Sequence, residues 1–310
     1  MLKLIADNIP HQFGNYFEPF LGGGAVALHI MENYPNRHYY LSDFNEEIPL
    51  VWLAIRDDPE ELSELLEEHS ARHSEEYFYS IRNWDRRGLL ELHTDVERAA
   101  RFIYICNSSH NGGYKLDNEG FCRQNFAPSR PYFTPDTENI IEINQLLNDR
   151  AIHIYKRDFN EVVEDIRAGD FIYLDPPYDV VKDETGYSSS DEYAKNVPTT
   201  VLTKQVKKLM NTVGHHGAYA LASNSDTALT QKLWDGWNSV EQKIFWNAGN
   251  EQKEAVEKLW GNYALWKVVK EQHRQAAEAA STASDSPDEA EGGEEVSVAS
   301  EGHTEAADAD

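Results

Sequence analysis

Two cysteines in 310 residues, Cys106 and Cys122, form neither a CxxC pair nor a disulfide framework, which points to a reducing compartment. No apolar run is long enough to span a membrane, and the amino terminus lacks a signal-peptide pattern. A soluble, cytoplasmic protein that makes no use of a membrane is therefore expected. Positive charge is also scarce: 28 Lys and Arg face 54 Asp and Glu, for a net charge of −26 and a pI near 4.8. That balance is unusual for anything that handles nucleic acid. Much of the excess is local, because residues 271–310 hold twelve acids and one arginine, leaving about −15 on the body. An acidic body with few lysines resembles proteins of salt-rich cytoplasm, although plain acidity also serves solubility. The low-complexity Ala/Glu/Ser/Asp composition of 271–310 predicts a disordered tail.

Hydrophobic and aromatic residues are present in quantity, at 40% and 11%, enough for one large domain or a core domain with an insertion. The chain is organised around FIYLDPPY at 171–178. An apolar run of this length reads as a buried strand of a parallel sheet. Proline cannot continue such a strand, so Asp175 closes its carboxyl end and Pro176 and Pro177 turn the backbone away. In open α/β sheets ligands bind at that edge. Asp175, the prolyl carbonyls and the Tyr178 ring suit a planar base with an exocyclic amine; a strand-terminating turn with an incidental aspartate reads equally well.

Upstream, a short strand at 16–20 runs through LGGG (21–24) into a helix at 25–34. Such a turn lets backbone N–H groups approach a ligand, and Asp43 follows about 20 residues on, where an acid binds ribose hydroxyls. The glycines do not spell GxGxxG, so a nucleoside fits as well as a dinucleotide, and tight helix–strand packing alone also explains them. Two helical segments follow, the second opened by Pro59. From Glu75, aromatics interleave with Arg82, Arg86, Arg87, Arg98 and Arg101, a texture suited to phosphate contact and stacking. For any single arginine, pairing with the many acids of an amphipathic helical segment is the preferred reading. Residues 107–133 are dense in Asn, Gly, Ser and Pro, and the turn at 118–120 predicts a hairpin whose polar side chains read base edges, or else an active-site lid.

The α/β pattern resumes at 151, with a strand at 152–155, a helix at 160–167 and the DPPY strand. A polar, functional or mobile loop at 179–198, a helix at 199–213 and a strand at 218–222 come next. A helix at 227–235, a strand near 240–245, a polar loop at 247–253 and a last strand at 263–269 complete the pattern. About seven strands alternate with helices, which predicts a Rossmann-like, doubly wound α/β sheet interrupted by an insertion. The expected division is a catalytic domain at 1–57 and 151–270, an inserted, mainly helical domain carrying the hairpin at 58–150, and the tail at 271–310.

FEPFLGGGAV (17–26), NGGYKLDNEGF (111–121) and YLDPPY (173–178), in this order, resemble the Dam-type, D12 class of DNA N6-adenine methyltransferases. The resemblance implies S-adenosylmethionine as cofactor and double-stranded DNA as substrate, and leaves open whether the protein works with a companion restriction endonuclease or alone. By position, Phe17, Glu18, Pro19, Phe20, Gly22 and Gly23 would hold the methionine portion of the cofactor and Asp43 its ribose. Asp158 and Phe159 would hold its adenine, with Asp175 at the same cleft. Asp175, Pro176, Pro177 and Tyr178 would bind and activate a flipped-out target adenine, and no metal is implied. Arg82, Asn111, Tyr114, Lys115, Asn118, Arg123 and Arg130 would contact DNA, with Lys115 in the family's basic hairpin position. The usual Trp-x-Gly-Gly-Lys opening is missing here, which implies weaker cofactor binding or an incomplete chain. The second half of the hairpin also departs from the family pattern, so the recognised sequence does not carry over. An RNA guanine-N2 methyltransferase ranks second, and a non-catalytic nucleic-acid-binding relative is the reading from another class.

Overall fold

A computed structural model describes residues 1–117, 119–178, 197–248 and 251–265. The predicted acidic tail and residues 179–196 of the predicted loop lie outside them. In chain order the first elements are α1 (Leu2–Ala6), β1 (Tyr16–Glu18), α2 (Ala25–Asn33), β2 (His38–Asp43), α3 (Glu47–Asp57) and α4 (Pro59–Ala71). Next come α5 (Glu75–Arg82), α6 (Asp95–Ser108), α7 (Thr137–Asn148), β3 (Ala151–Lys156) and β4 (Phe171–Leu174). The chain continues through α8 (Thr199–His215), β5 (Tyr219–Ser225), α9 (Ala228–Leu233), β6 (Asn238–Ala248) and β7 (Glu251–Gly261).

The strands form one sheet in the order β3-β2-β1-β4-β5-β7-β6. The first five are parallel, and β7 runs antiparallel to both β5 and β6. This is the expected doubly wound α/β sheet. All four residues of β4 are buried, because helices cover both faces of a central parallel strand. Alternation sends Tyr16, Phe171, Tyr173 and Leu221 to one face, where they pack with Val26, Ile30 and Trp52. It sends Phe17, Ile172, Leu174, Ala220 and Ala222 to the other, against Phe159, Val206 and Met210.

Between β2 and β3 the chain makes α3 to α7 and a short hairpin. Leu62, Leu66, Phe78, Tyr104 and Ile105 from these helices join the same core cluster as the first sheet face. The start of α6 is set by a capping box in which Thr94 and Glu97 satisfy one another's backbone N–H groups. The hairpin is minimal: isolated antiparallel bridges join Ser109 to Phe126 and Leu116 to Cys122.

Two local expectations change. The predicted helix at 160–167 is a 3₁₀ segment, Phe159–Glu164, which Asp158 and Glu161 begin with a capping box. Its β-branched Val162 and Val163 disfavour a longer helix. The predicted polar loop at 247–253 falls mostly within the long β6–β7 ribbon, of which residues 249–250 lie outside the described residues. Among the described residues the last strand is β7, ending at Gly261; residues 263–265 are not strand, and 266–269 of the predicted last strand lie outside the described residues. The charged sequence of β7, EQKEAVEKLWG, disguises a strand whose first half pairs only with β6 and whose second half also pairs with β5. On the helices between β2 and β3, Arg101 is fully buried, donating to the Ile81 and Arg82 carbonyls and to Tyr114 Oη, with Asp85 3.4 Å away, as the preferred reading of a single arginine expects. A guanidinium so enclosed braces the protein and has no surface left for phosphate.

Candidate active site at the carboxyl edge of the sheet

Because β1, β2, β3, β4 and β5 are parallel, their carboxyl ends share one edge of the sheet. Glu18, Asp43, Asp158 and Asp175 lie at or just beyond those ends, and Ser223 stands two residues inside the end of β5. The order reverses between β1 and β4, which places the switch point of the fold between Glu18 and Asp175.

The glycine turn follows β1. Gly22 and Gly24 adopt positive φ angles of 45° and 62°, which glycine takes without the Cβ penalty. At Gly24 a Cβ would lie 2.3 Å from the Trp52 ring, so that glycine is also required by packing. At Gly22 and Gly23 a Cβ would meet nothing within 4 Å, which leaves open space above the turn. Trp52 Nε1 donates to the Gly22 carbonyl at 3.1 Å and steadies the turn from below. Asp43 holds it from the side: Oδ2 accepts from the Gly22 N–H at 3.1 Å and Oδ1 from the Asn45 N–H at 2.9 Å. Burial raises the Asp43 carboxyl above its ordinary value, against the pull of those backbone donors.

Glu18 is the least ordinary acid of the edge. It is 2% exposed, and Tyr16 Oη donates to its Oε2 at 2.5 Å. Burial first, then the nearby Asp175 charge, push its carboxyl up to about 8, although bonds from Tyr16 and the Ala27 N–H oppose the shift. Tyr16 and Glu18 are two apart on β1, so both point to the face that also carries Tyr173.

Asp175 keeps part of its surface open to solvent, yet the protein around it raises its carboxyl, with bonds to Ser223 and Tyr178 pulling the other way. Pro176 is buried, and Pro177 and Tyr178 are half-buried. Asp158 caps the 3₁₀ segment, its Oδ1 accepting from the Asn160 N–H at 2.9 Å. Phe159 is buried, with its ring 5.0 Å from that of Phe20. Phe17 is fully buried and stacks on Tyr40 at 4.6 Å, and Pro19 is buried as well. Of the residues proposed to bind a nucleoside, Glu18, Gly22, Gly23, Asp43 and Asp175 thus border one open edge, and the aromatic ones supply its floor. Sequence reasoning missed Tyr16, Trp52, Tyr173 and Ser223. Only Ser223 carried a signal, as part of the polar SNS closing an otherwise apolar strand at the same edge.

The hairpin residues divide into braces and exposed groups. Arg82 Nη1 donates to the Gln124 carbonyl at 2.9 Å while its guanidinium covers the Tyr79 ring. Arg86 donates to the Cys122 carbonyl and Asp117, and Arg130 to the Asn107 carbonyl at 2.6 Å. Tyr114 is buried beneath the hairpin. Arg123 is exposed and Lys115 half-exposed, standing opposite one another where the Arg123 N–H donates to the Lys115 carbonyl at 2.9 Å. The backbone of Asn111 falls in a 3₁₀ turn, and Asn118 lies outside the described residues. Among the described residues no helix is long and apolar enough to cross a membrane.

Residues 1–246 match the D12 class N6 adenine-specific DNA methyltransferase family. The chain is similar to the Type II methyltransferase M1.LlaDCHI of Lactococcus lactis subsp. cremoris, with 31% identity over 74% of this chain and 78% of that protein. It is also similar to the Type II methyltransferase M.MjaIII of Methanocaldococcus jannaschii, with 28% identity over 84% of this chain and 93% of that one. A viral relative, the Type II methyltransferase M.CviBI of Paramecium bursaria Chlorella virus NC1A, is 29% identical over 61% of this chain and 68% of its own length. The family match spans both the glycine turn and the DPPY edge, and the chain belongs to the D12 class of N6 adenine-specific DNA methyltransferases.

Proposed function

We propose that this methyltransferase acts at a specific sequence in double-stranded DNA, on an adenine flipped out of the helix and held by Asp175, Pro176, Pro177 and Tyr178. The observation that carries the reading is the placement of Asp175 at the switch point of the sheet, on the same edge as the glycine turn. A base inside a duplex cannot reach such an edge, so it must leave the stack.

S-adenosylmethionine, when bound, supplies an electrophilic methyl group on a sulfonium. The open space over Gly22 and Gly23 and the acids Glu18 and Asp43 fit its methionine and ribose portions, with Phe17, Pro19 and Phe20 beneath. Asp158 and Phe159 would hold its adenine. An edge carrying Glu18, Asp43 and Asp175 suits a cationic ligand better than a pyrophosphate. The amine of adenine is a poor nucleophile because its lone pair is delocalised into the ring. Accepting its two hydrogens on the Asp175 carboxylate and the Pro176 carbonyl localises that lone pair, and holding it in line supplies much of the acceleration. Incubation with labelled S-adenosylmethionine and unmethylated duplex DNA should yield N6-methyladenine on digestion. Label found only in RNA, or in no nucleic acid, would overturn the reading.

The helices and hairpin of 58–150 form the target-recognition part on this proposal. Arg82, Tyr114 and Arg130 support the hairpin, and Asn111, Lys115, Asn118 and Arg123 meet the DNA. Lysine donates to guanine O6 and N7, so Lys115→Ala should relax discrimination at one base pair by ~1–3 kcal/mol. Profiling of methylated sites checks this. An unchanged motif with uniformly lower occupancy would make Lys115 a phosphate anchor instead. A companion restriction endonuclease would be the partner on this reading; the relatives M1.LlaDCHI and M.MjaIII are named Type II methyltransferases.

A further inference from the structure

Beyond the DPPY loop, the edge contains a polar chain that crosses from β4 to β5. Ser223, in β5, has no solvent exposure, and its Oγ lies 2.5 Å from Asp175 Oδ1. The register pairs Leu174 with Ala222, so the next residue of each strand, Asp175 and Ser223, meet at the rim. Tyr173, also buried, brings its Oη within 3.0 Å of the same Ser223 Oγ. We propose that Ser223, fixed in turn by Tyr173, is a positioning residue for methyl transfer: it clamps the Asp175 carboxylate by one oxygen and leaves its remaining acceptor capacity for the amine. The inference rests on the reading of Asp175 as the amine acceptor.

The direction of the bonds follows from counting protons. A serine hydroxyl has one proton and two lone pairs. Tyr173 donates to Ser223 Oγ, and Ser223 then has one donation to make. Its candidates are Asp175 Oδ1 at 2.5 Å, the Leu174 carbonyl at 3.4 Å and the uncharged Tyr178 Oη. The carboxylate is charged and closer than the Leu174 carbonyl, and hydrogen bonds to charged acceptors are about twice as strong. Tyr178 also bonds with Asp175 and Ser223, so the carboxylate is held from two sides. Asp175 stands at the end of β4, directly before Pro176 and Pro177, and the Ser223 and Tyr178 hydroxyls are its tethers. Without them its χ1 and χ2 rotations would carry the acceptor away from the amine, and positional errors of about 1 Å cost on the order of 100-fold in rate.

The charged and titratable groups around Asp175 are Tyr16 and Glu18 from β1, Tyr173 from β4, Tyr178 from the loop and Glu257 from β7. Among the described residues none of these is cationic, so the hydroxyl donors are what favours the ionised form of Asp175. Removing Ser223 should therefore move the acid limb of the rate–pH profile upward. A role in packing alone would leave that limb in place.

The test uses the full chain with duplex DNA and follows kcat, KM and the pH profile of Ser223→Ala, Ser223→Thr and Tyr173→Phe, with Asp175→Ala as reference. For Ser223→Ala the expected result is a fall of about 10- to 100-fold in kcat, the range for a bond to a charged group. KM for DNA should be little changed, and the acid limb should shift to higher pH. Ser223→Thr should restore rate and limb. Tyr173→Phe, which keeps the ring and its packing, should give a smaller shift in the same direction. Wild-type kcat with an unshifted limb in Ser223→Ala, beside an inactive Asp175→Ala, would overturn the positioning role alone. So would a loss of rate in which neither Ser223→Ala nor Tyr173→Phe moves the limb. An active Asp175→Ala would overturn the parent reading, and the positioning role with it.

Discussion

Asp175→Ala should lower methyl transfer by about 10³-fold or more while leaving DNA association near the wild-type level. Loss of a single preorganised hydrogen-bonding group at a reacting centre costs roughly 10²–10³-fold. Here the same group also orients the amine, and alanine offers nothing in its place. The DNA-contacting residues proposed above lie on the hairpin, far along the chain from β4, so association should not follow activity. The pH dependence of the wild-type enzyme has a sign that follows from burial. Asp175 must be ionised to accept from the amine, and its carboxyl is raised above the ordinary aspartate value, chiefly by desolvation. Activity should therefore fall as pH drops, and begin to fall at a higher pH than an exposed aspartate would give. Single-turnover rates beside a DNA-binding isotherm check both parts. Wild-type turnover in Asp175→Ala would remove the DPPY assignment altogether.

Glu18→Gln should stabilise the protein at alkaline pH. The Glu18 carboxyl is raised from 4.5 to about 8 by burial and by the neighbouring Asp175 charge. Between those two values the folded state holds a proton that the unfolded state has released. Unfolding free energy then falls as pH rises through that window, and the deficit is complete above about 8. Each tenfold change in proton affinity is worth about 1.4 kcal/mol, which makes the deficit on the order of a few kcal/mol. Glutamine keeps an oxygen to accept from Tyr16 and carries no charge at any pH. Urea unfolding of the wild type should show a midpoint that declines from pH 5.5 to pH 8.5. The variant should decline less and be the more stable of the two at pH 8.5. Some slope should remain, because burial also raises Asp43, Glu47 and Asp175. Parallel curves for the two proteins would mean that Glu18 is ionised throughout.

Much of the architecture could be read from local pattern. FIYL followed by Asp-Pro-Pro announces a buried strand and its end, because no side chain in it can face water and proline removes the next ladder donor. LGGG after a short aromatic strand announces the turn, because backbone at φ of 62° against the Trp52 ring admits only glycine. Those two stretches, with Asp43 in register, identify the family and the edge that carries the chemistry. The β6–β7 ribbon escaped this kind of reading. Half of β7 pairs with one neighbour alone and its sequence is charged, so a more apolar stretch at 263–269 looked the better strand.

Tertiary structure decided which polar groups meet. Arginines beside aromatics read alike whether they face phosphate or a carbonyl, and only packing buried Arg101 and tied the half-exposed Arg82 and Arg130 to backbone carbonyls. Likewise, Ser223 lies 48 residues from Asp175 in the chain, and Tyr16 lies far from Tyr173. No periodicity links them. Parallel pairing of β1, β4 and β5 brings their carboxyl ends to one rim, and the two-residue alternation turns these side chains to one face. Local sequence determines each strand and where it stops, since those depend on neighbours in the chain. Strand pairing determines which hydroxyl holds which carboxylate, since that depends on residues brought together only by folding.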